Sequence, residues 1–272
     1  MTTTANRAEF ERWNAEHQKR SWPRRERLTT EVTPLLFNAL APQPGERILD
    51  IGAGGGLAAI ECARRVAPGG IVVGFDISRP LVELATERAA AAGVTNVRFV
   101  HGDAQVGDIP GGPFNAIMSQ FGVMFFDDPP AAFANIARHL RPGARLTFAC
   151  WQPAPQNPWF PGPVMAKYGP PPQPARNGGP PPGPFAFGDV GYVRSVLEAA
   201  GFTGVADEQI AIDLRVGEDT LFDRAMLESM RIPAERHDEA WADLQAHVAP
   251  FRQPDGTLAL RIQPQIIRAA AP

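Results

Sequence analysis

The sequence predicts an α/β fold organised around a mostly parallel sheet. Three observations carry that expectation. Short apolar runs of strand type recur at 47–51, 71–75, 97–101, 114–119 and 144–150. Stretches with helical spacing of apolar residues separate them, at 55–67, 80–92 and 129–140. A cluster of glycines, 52, 54, 55 and 56, follows the first run at once. Strand and helix in alternation make a parallel sheet with right-handed crossovers.

Residues 5–20 are polar and helix-prone, with Phe10 and Trp13 as apolar points, and Trp22-Pro23 interrupts them. Glu26 to Leu40 carries Leu28, Val32, Leu35, Leu36 and Ala39 on one helical face, with a kink or restart at Pro34. APQPGE, 41–46, is a turn into the first strand, Arg47 to Ile51. Leu57 to Val66 reads as the helix after the glycines, with Leu57, Ile60 and Ala63 at helical spacing. The helix at 80–92 has Ser78 as a possible N-cap, Pro80 in its first turn and Gly93 in the C′ place. Pro142-Gly143 turns the chain into the fifth strand.

The segment 151–187 changes character. Thirteen of the 29 prolines lie between Pro153 and Pro184, so regular structure is not expected there. Trp151, Trp159, Phe160, Met165, Tyr168, Phe185 and Phe187 are interleaved with them, which favours a packed cap over a linker or a free proline-rich ligand. Gly188 to Ala200 reads as a helix closed by Gly201, and Val205 to Val216 as one alternating strand. Residues 218–248 are helical in two pieces, broken at Pro233. Thr257 to Ile267 alternates again until Pro264 interrupts its ladder.

The stretch RILDIGAGGG, Arg47 to Gly56, organises the chain. A strand ending in glycines and feeding a helix brings backbone close to a ligand and offers unpaired N–H donors. Gly52 and Gly54 fit the first two places of a dinucleotide fingerprint, but Leu57 stands in the third. Asp50, inside the apolar run, needs a partner, and an amine-bearing ligand would supply one. Asp76 ends the second run, in IVVGFDIS, where it is placed to bind ribose hydroxyls. Asp103 follows the third run in HGDA. All three acids point to the carboxyl edge of the sheet, where ligands bind.

Together ILDIGAGGG, VVGFDIS, VRFVHGDA, FNAIMSQFGVMFF and LRPGARLTFACW resemble the motif series of class I S-adenosylmethionine (SAM) dependent methyltransferases. The nearest flavour is the ubiquinone/menaquinone-biosynthesis C-methyltransferase-like branch of small-molecule enzymes. The resemblance covers about residues 45–150 and reaches weakly to 216. It departs at Ala53, where many relatives carry Cys, and at Gln120, where this branch would carry Arg.

The resemblance implies a Rossmann-like, seven-stranded, mostly parallel sheet with an antiparallel C-terminal hairpin and helices on both faces. It divides the chain into an N-terminal helical lid (1–44), a SAM-binding core (45–150), a proline-rich cap loop (151–187) and the C-terminal part of the core (188–272), with a helical insertion at 218–249. It assigns Gly52, Ala53 and Gly54 to the methionine part of the cofactor and Asp50 to its ammonium. Asp76 takes the ribose hydroxyls, Ile77 packs on adenine, Asp103 accepts from the adenine amino group and Ala104 N–H donates to the ring. Ser119 and Gln120 border the methionine end. Trp22, Phe121, Met124, Trp151 and Tyr168 are the expected acceptor pocket, since aromatic faces also favour a sulfonium.

At 272 residues the chain is one large domain or one and a half, and 44% hydrophobic residues suffice for a core. A net charge of −3 argues against a general polyanion binder. Cys62 and Cys150 read as buried fillers, and their scarcity fits a cytoplasmic setting. No long apolar run suggests a membrane span and the N-terminus lacks a signal-peptide core. No His/Cys/carboxylate cluster has metal spacing, so no metal is expected. No general base stands out; His17 and His139 are the candidates. The leading reading is SAM-dependent methylation of O, N or C on an apolar or aromatic small molecule, by a monomer or homodimer. The alternatives are an RNA or protein methyltransferase using the basic N-terminal helices, and a non-catalytic SAM-binding scaffold.

Overall fold

β1 (Arg47–Ile51) lies inside the sheet, hydrogen-bonded in parallel to β2 (Ile71–Asp76) on one side and β4 (Phe114–Gln120) on the other. The computed structural model describes residues 6–15, 17–171, 179–218 and 222–272. β3 (Val97–His101) extends the sheet beyond β2, and β5 (Leu140–Trp151) beyond β4. β9 (Pro264–Ala270) then inserts antiparallel between β5 and β6 (Thr203–Gln209). The order is β3-β2-β1-β4-β5-β9-β6, seven strands, the mostly parallel sheet with an antiparallel edge that the sequence predicts.

The two C-terminal strands are shorter than expected, and each is broken. The alternation at 205–216 divides into β6 and β7 (Ile212–Gly217), and that at 257–267 into β8 (Thr257–Ile262) and β9. β7 and β8 form a separate two-stranded antiparallel sheet. Periodicity runs through both breaks because strands leaving one sheet for another keep the same alternation of faces.

α4 (Leu57–Val66), α5 (Arg79–Ala91), α6 (Pro129–Ala137) and α8 (Val190–Ala199) cover the sheet. The pleat sorts β1 between two cores. Ile48 packs with Leu36, Phe37, Cys62 and Met118 on one face, while Leu49 and Ile51 join Phe133, Phe148 and Leu197 on the other. Asp50 shares the face of Ile48, where a period of two puts it. Cys62 and Cys150 are free and buried, as expected of fillers, and burial pushes both thiols up to about 12.

The N-terminal region holds α1 (Arg7–Trp13), α2 (His17–Thr29) and α3 (Thr33–Leu40), with a 3-10 turn at Thr30–Val32. Pro34 starts α3, the restart that a missing N–H favours at a first turn. Pro23 corrects the expectation of a break, because α2 runs straight through it. The lost donor is offset by packing of Leu28 and by side-chain bonds from Trp22 and Glu26 described below. Within the proline-rich segment, Gly162–Tyr168 forms α7, correcting the expectation of no regular structure; residues 172–178 lie outside the described residues. The insertion carries α9 (Ala225–Ser229) and α10 (His237–Val248), separated at Pro233. Among the described residues no helix is long and apolar enough to cross a membrane.

Candidate active site

Several elements meet over the carboxyl edge of the sheet around a cavity of about 620 Å³, within the range of small-molecule sites. Its floor is the glycine turn after β1 and the tips of β2, β3 and β4. Its roof comes from α2, the cap segment and α9.

The glycine turn is shaped by close approach. Gly52 has φ +68, and a Cβ there would sit 2.7 Å from the Gly122 Cα in the loop after β4. Gly54 has φ +54, and a Cβ there would land inside the Trp22 ring. Only glycine meets both demands. Gly52 N–H donates to Phe75 O at 2.8 Å, which ties the turn to the end of β2.

The three strand-tip carboxylates, Asp50, Asp76 and Asp103, line the cavity. Asp76 accepts Gly54 N–H at 2.7 Å through Oδ2 and Ser78 N–H at 2.7 Å through Oδ1. Burial nevertheless pushes its pKa up to about 6, the two N–H donors pulling the other way. Asp50 is 1% exposed and lines the cavity. Among the described residues its Oδ2 has no hydrogen-bond partner, and burial, then the Asp76 charge, raise its pKa well above the carboxylate range. A buried carboxylate oxygen without a donor is costly unless a ligand supplies one. Asp103 accepts Gln105 N–H at 2.9 Å and is also raised by burial. Ile77 and Ala104 lie on the same wall.

The β4 tip contributes unequally. Gln120 lines the cavity and clamps the lid, its amide donating to Thr29 O at 3.1 Å and accepting from the Thr33 hydroxyl at 2.9 Å. Ser119 is a correction: it is fully buried beneath the wall, its Oγ accepting Gly122 N–H. A one-residue step in a strand turns a side chain to the other face. Phe121 follows with φ +63, a strained conformation for a bulky residue. That turn lays its ring on Trp151, centroids 4.3 Å apart and 18° from parallel.

Of the expected acceptor pocket, Trp22, Phe121, Met124 and Trp151 line the cavity. Tyr168 does not; it is buried away from it, its hydroxyl donating to Asp243 at 2.8 Å. Both candidate bases are also corrected. His139 sits where Phe114 N–H meets its carbonyl, at the start of β4 and so at the opposite edge of the sheet. Its ring touches Asn135 O and Asp108. His17 begins α2 outside the cavity wall, and burial, with Arg25 nearby, lowers its pKa. Among the described residues no histidine lines the cavity, and no group of three or more His, Cys, Asp or Glu could hold a metal.

Sequence reasoning missed the lid's fastening. Trp22 Nε1 donates to Glu26 Oε1 at 2.6 Å, and Arg88 of α5 donates to the same oxygen at 2.8 Å and to Gly55 O at 2.9 Å. Asn14 donates to Ile77 O and accepts Arg79 N–H, and Ser78 donates to Trp13 O at 2.6 Å. The spacing Trp22, Glu26 and Thr29 marked one helical face, but only packing shows that this face looks down. Asn135 was also missed; buried on α6, it holds the loop after β3 by donating to Ala104 O and Gly107 O.

A glycine turn, acidic strand tips and a β3-β2-β1-β4-β5-β9-β6 sheet define the class I methyltransferase architecture. A solved structure of the YcgJ protein from Bacillus subtilis shares the fold, with TM-score 0.60 at 18% identity over 89% of this chain and 98% of that one. The methyltransferase-domain family matches residues 48–143. Nocamycin O-methyltransferase of Saccharothrix syringae is 34% identical over 196 residues, 68% of this chain and 69% of that protein. Demethylmenaquinone methyltransferase of Thermus thermophilus is 38% identical over 111 residues, 41% of this chain and 50% of that protein. The chain belongs to the class I, SAM-dependent methyltransferases of small-molecule type.

Proposed function

We propose that the protein moves a methyl group from SAM to O, N or C of an apolar or aromatic small molecule. The observation that carries this reading is Asp50, which lines the cavity beside the glycine turn and whose buried Oδ2 has no hydrogen-bond partner among the described residues. An ammonium fits that oxygen, and a glycine cradle admits the chain that bears it. Asp50 would hold the ammonium of the cofactor, Gly52 to Gly54 its methionine backbone and Asp76 its ribose hydroxyls. Ile77 would pack on the adenine, with Asp103 accepting from its amino group and Ala104 N–H donating to its ring.

The cofactor supplies an electrophilic methyl on a sulfonium, which an acceptor displaces in line. The chain's own part is alignment and exclusion of water. Phe121 and Trp151 offer a flat aromatic wall, favourable to a flat acceptor and to a nearby cation. The lid closes the opposite side through Trp22, Glu26 and Arg88. Several of the lid's basic residues are engaged within the chain rather than offered to nucleic acid. Lys19 pairs with Glu87 at 2.8 Å, Arg24 pairs with Asp223, and Arg12 and Arg25 turn to the cavity.

Calorimetry with S-adenosylhomocysteine, and methyl transfer from labelled SAM to phenols, amines and acids, test the reading. Micromolar binding that Asp76→Ala abolishes is the expected result. Absence of binding, or an unchanged affinity in Asp76→Ala, would overturn it.

A further inference from the structure

Four arginines line the cavity: Arg12, Arg24, Arg25 and Arg65. Three have an acidic partner. Arg12 lies 3.5 Å from Glu9, Arg24 pairs with Asp223, and Arg65 lies 3.2 Å from Glu61. Arg25 is different. Among the described residues none gives it an ion pair or a hydrogen bond, and it lies over the Trp13 ring, 5.4 Å from guanidinium carbon to centroid. Trp13 in turn meets Phe125 edge-on at 5.2 Å. Burial lowers the pKa of Arg25 to about 10, and the neighbouring Arg12 adds to this. A half-buried guanidinium without an anion carries a desolvation cost that a bound anion would remove.

The local sequence sets this orientation. Trp22, Arg25, Glu26 and Thr29 follow the i, i+3, i+4, i+7 pattern, and all four line the cavity. Asp50, Asp76 and Asp103 sit at the strand tips; Arg25 stands over Trp13. The planar fork of Arg suits a carboxylate, which it can bind through two parallel N–H bonds.

We propose that Arg25 anchors a carboxylate of the acceptor, so that the substrate is an acidic aromatic small molecule. The inference rests on the methyltransferase reading and narrows it. A carboxylate in this cavity has two sources, the acceptor and the amino-acid end of the cofactor, and the test separates them. Aromatic acids from benzoate to 2-naphthoate and 2-anthroate, with their matching amides, are titrated into the protein saturated with S-adenosylhomocysteine. S-adenosylhomocysteine and its decarboxylated analogue are titrated separately, each against wild type, Arg25→Lys and Arg25→Gln.

The expected result is at least one acid bound tenfold more tightly than its amide. That preference disappears in Arg25→Gln and is partly restored in Arg25→Lys, while S-adenosylhomocysteine affinity changes less than twofold. Two results overturn the proposal. One is no acid preference in wild type; the other is a loss in Arg25→Gln confined to S-adenosylhomocysteine and absent for its decarboxylated analogue. Should Arg25→Gln not fold, the wild-type comparison of acid with amide and the Arg25→Lys variant decide alone. Failure of wild type to bind S-adenosylhomocysteine at all would instead remove the methyltransferase reading.

Discussion

The Trp22 indole lies directly on Gly54, so that a single methyl group added to the glycine would enter the ring. The contact joins the lid to the turn that follows β1. It makes the glycine a requirement of the lid as well as of the backbone. Gly54→Ala is expected to cost about 1 kcal/mol or more through its positive φ alone and to lower S-adenosylhomocysteine affinity at least tenfold. Calorimetry on a variant whose circular dichroism matches wild type checks this.

The lid is fastened through Glu26, which receives both the Trp22 N–H and Arg88. Glu26→Ala removes the shared acceptor and leaves a partly buried guanidinium without its anion. A loss of about 1–3 kcal/mol is expected for such a charged hydrogen bond, concentrated in the lid. Limited proteolysis should cut the N-terminal region faster in the variant while the core stays resistant. Equal cleavage rates would mean that the lid is held by packing alone.

Asp50 should release a proton when the ammonium of the cofactor arrives. Burial, then the Asp76 charge, raises the pKa of its carboxyl, and a cation beside it acts in the opposite direction. Titration of S-adenosylhomocysteine near neutral pH in buffers of different ionisation enthalpy should reveal net proton release. Asp50→Asn should abolish it and weaken binding. A buffer-independent heat in wild type would contradict this role.

Asp76 gives stability a pH dependence with a definite sign. Its pKa is about 6 when folded and near 3.8 for an aspartate in an unfolded chain, so the folded state binds more protons between these values. Stability from this group is full below about pH 4 and declines as pH rises through about 6, by about 3 kcal/mol at most. Denaturant unfolding at pH 4.5 and pH 7 should show a smaller pH difference in Asp76→Asn than in wild type.

Phe121 and Trp151 stack at the cavity while His139 sits at the other end of β4. Phe121→Ala is therefore expected to raise the KM for aromatic acceptors about tenfold with little change in cofactor affinity. His139→Ala should leave turnover within twofold of wild type. Steady-state kinetics on any acceptor found by the methyl-transfer assay distinguish them.

The core of the fold was legible because its signals are local. Arg47–Ile51, Ile71–Asp76 and Val97–His101 are short apolar runs whose ends carry Asp50, Asp76 and Asp103. An order of strand, glycine turn and helix leaves one edge on which such residues can meet. The candidate cofactor residues followed from that order, with Ser119 the exception, since its one-residue offset buries it. The acceptor side was less legible. Tyr168 and the histidines stand out only by residue type, and type says nothing of direction.

The sequence by itself determined the α/β class, the parallel strands, the glycine turn and the acids at the strand tips, because each depends on contacts between near neighbours or on a fixed period. Only the tertiary structure decided that α2 runs through Pro23, that the C-terminal strands divide between two sheets, and that Arg25 meets no carboxylate among the described residues. Those outcomes depend on which distant side chains meet, and the pairing of Glu26 with Arg88, 62 residues apart, has no trace in local spacing.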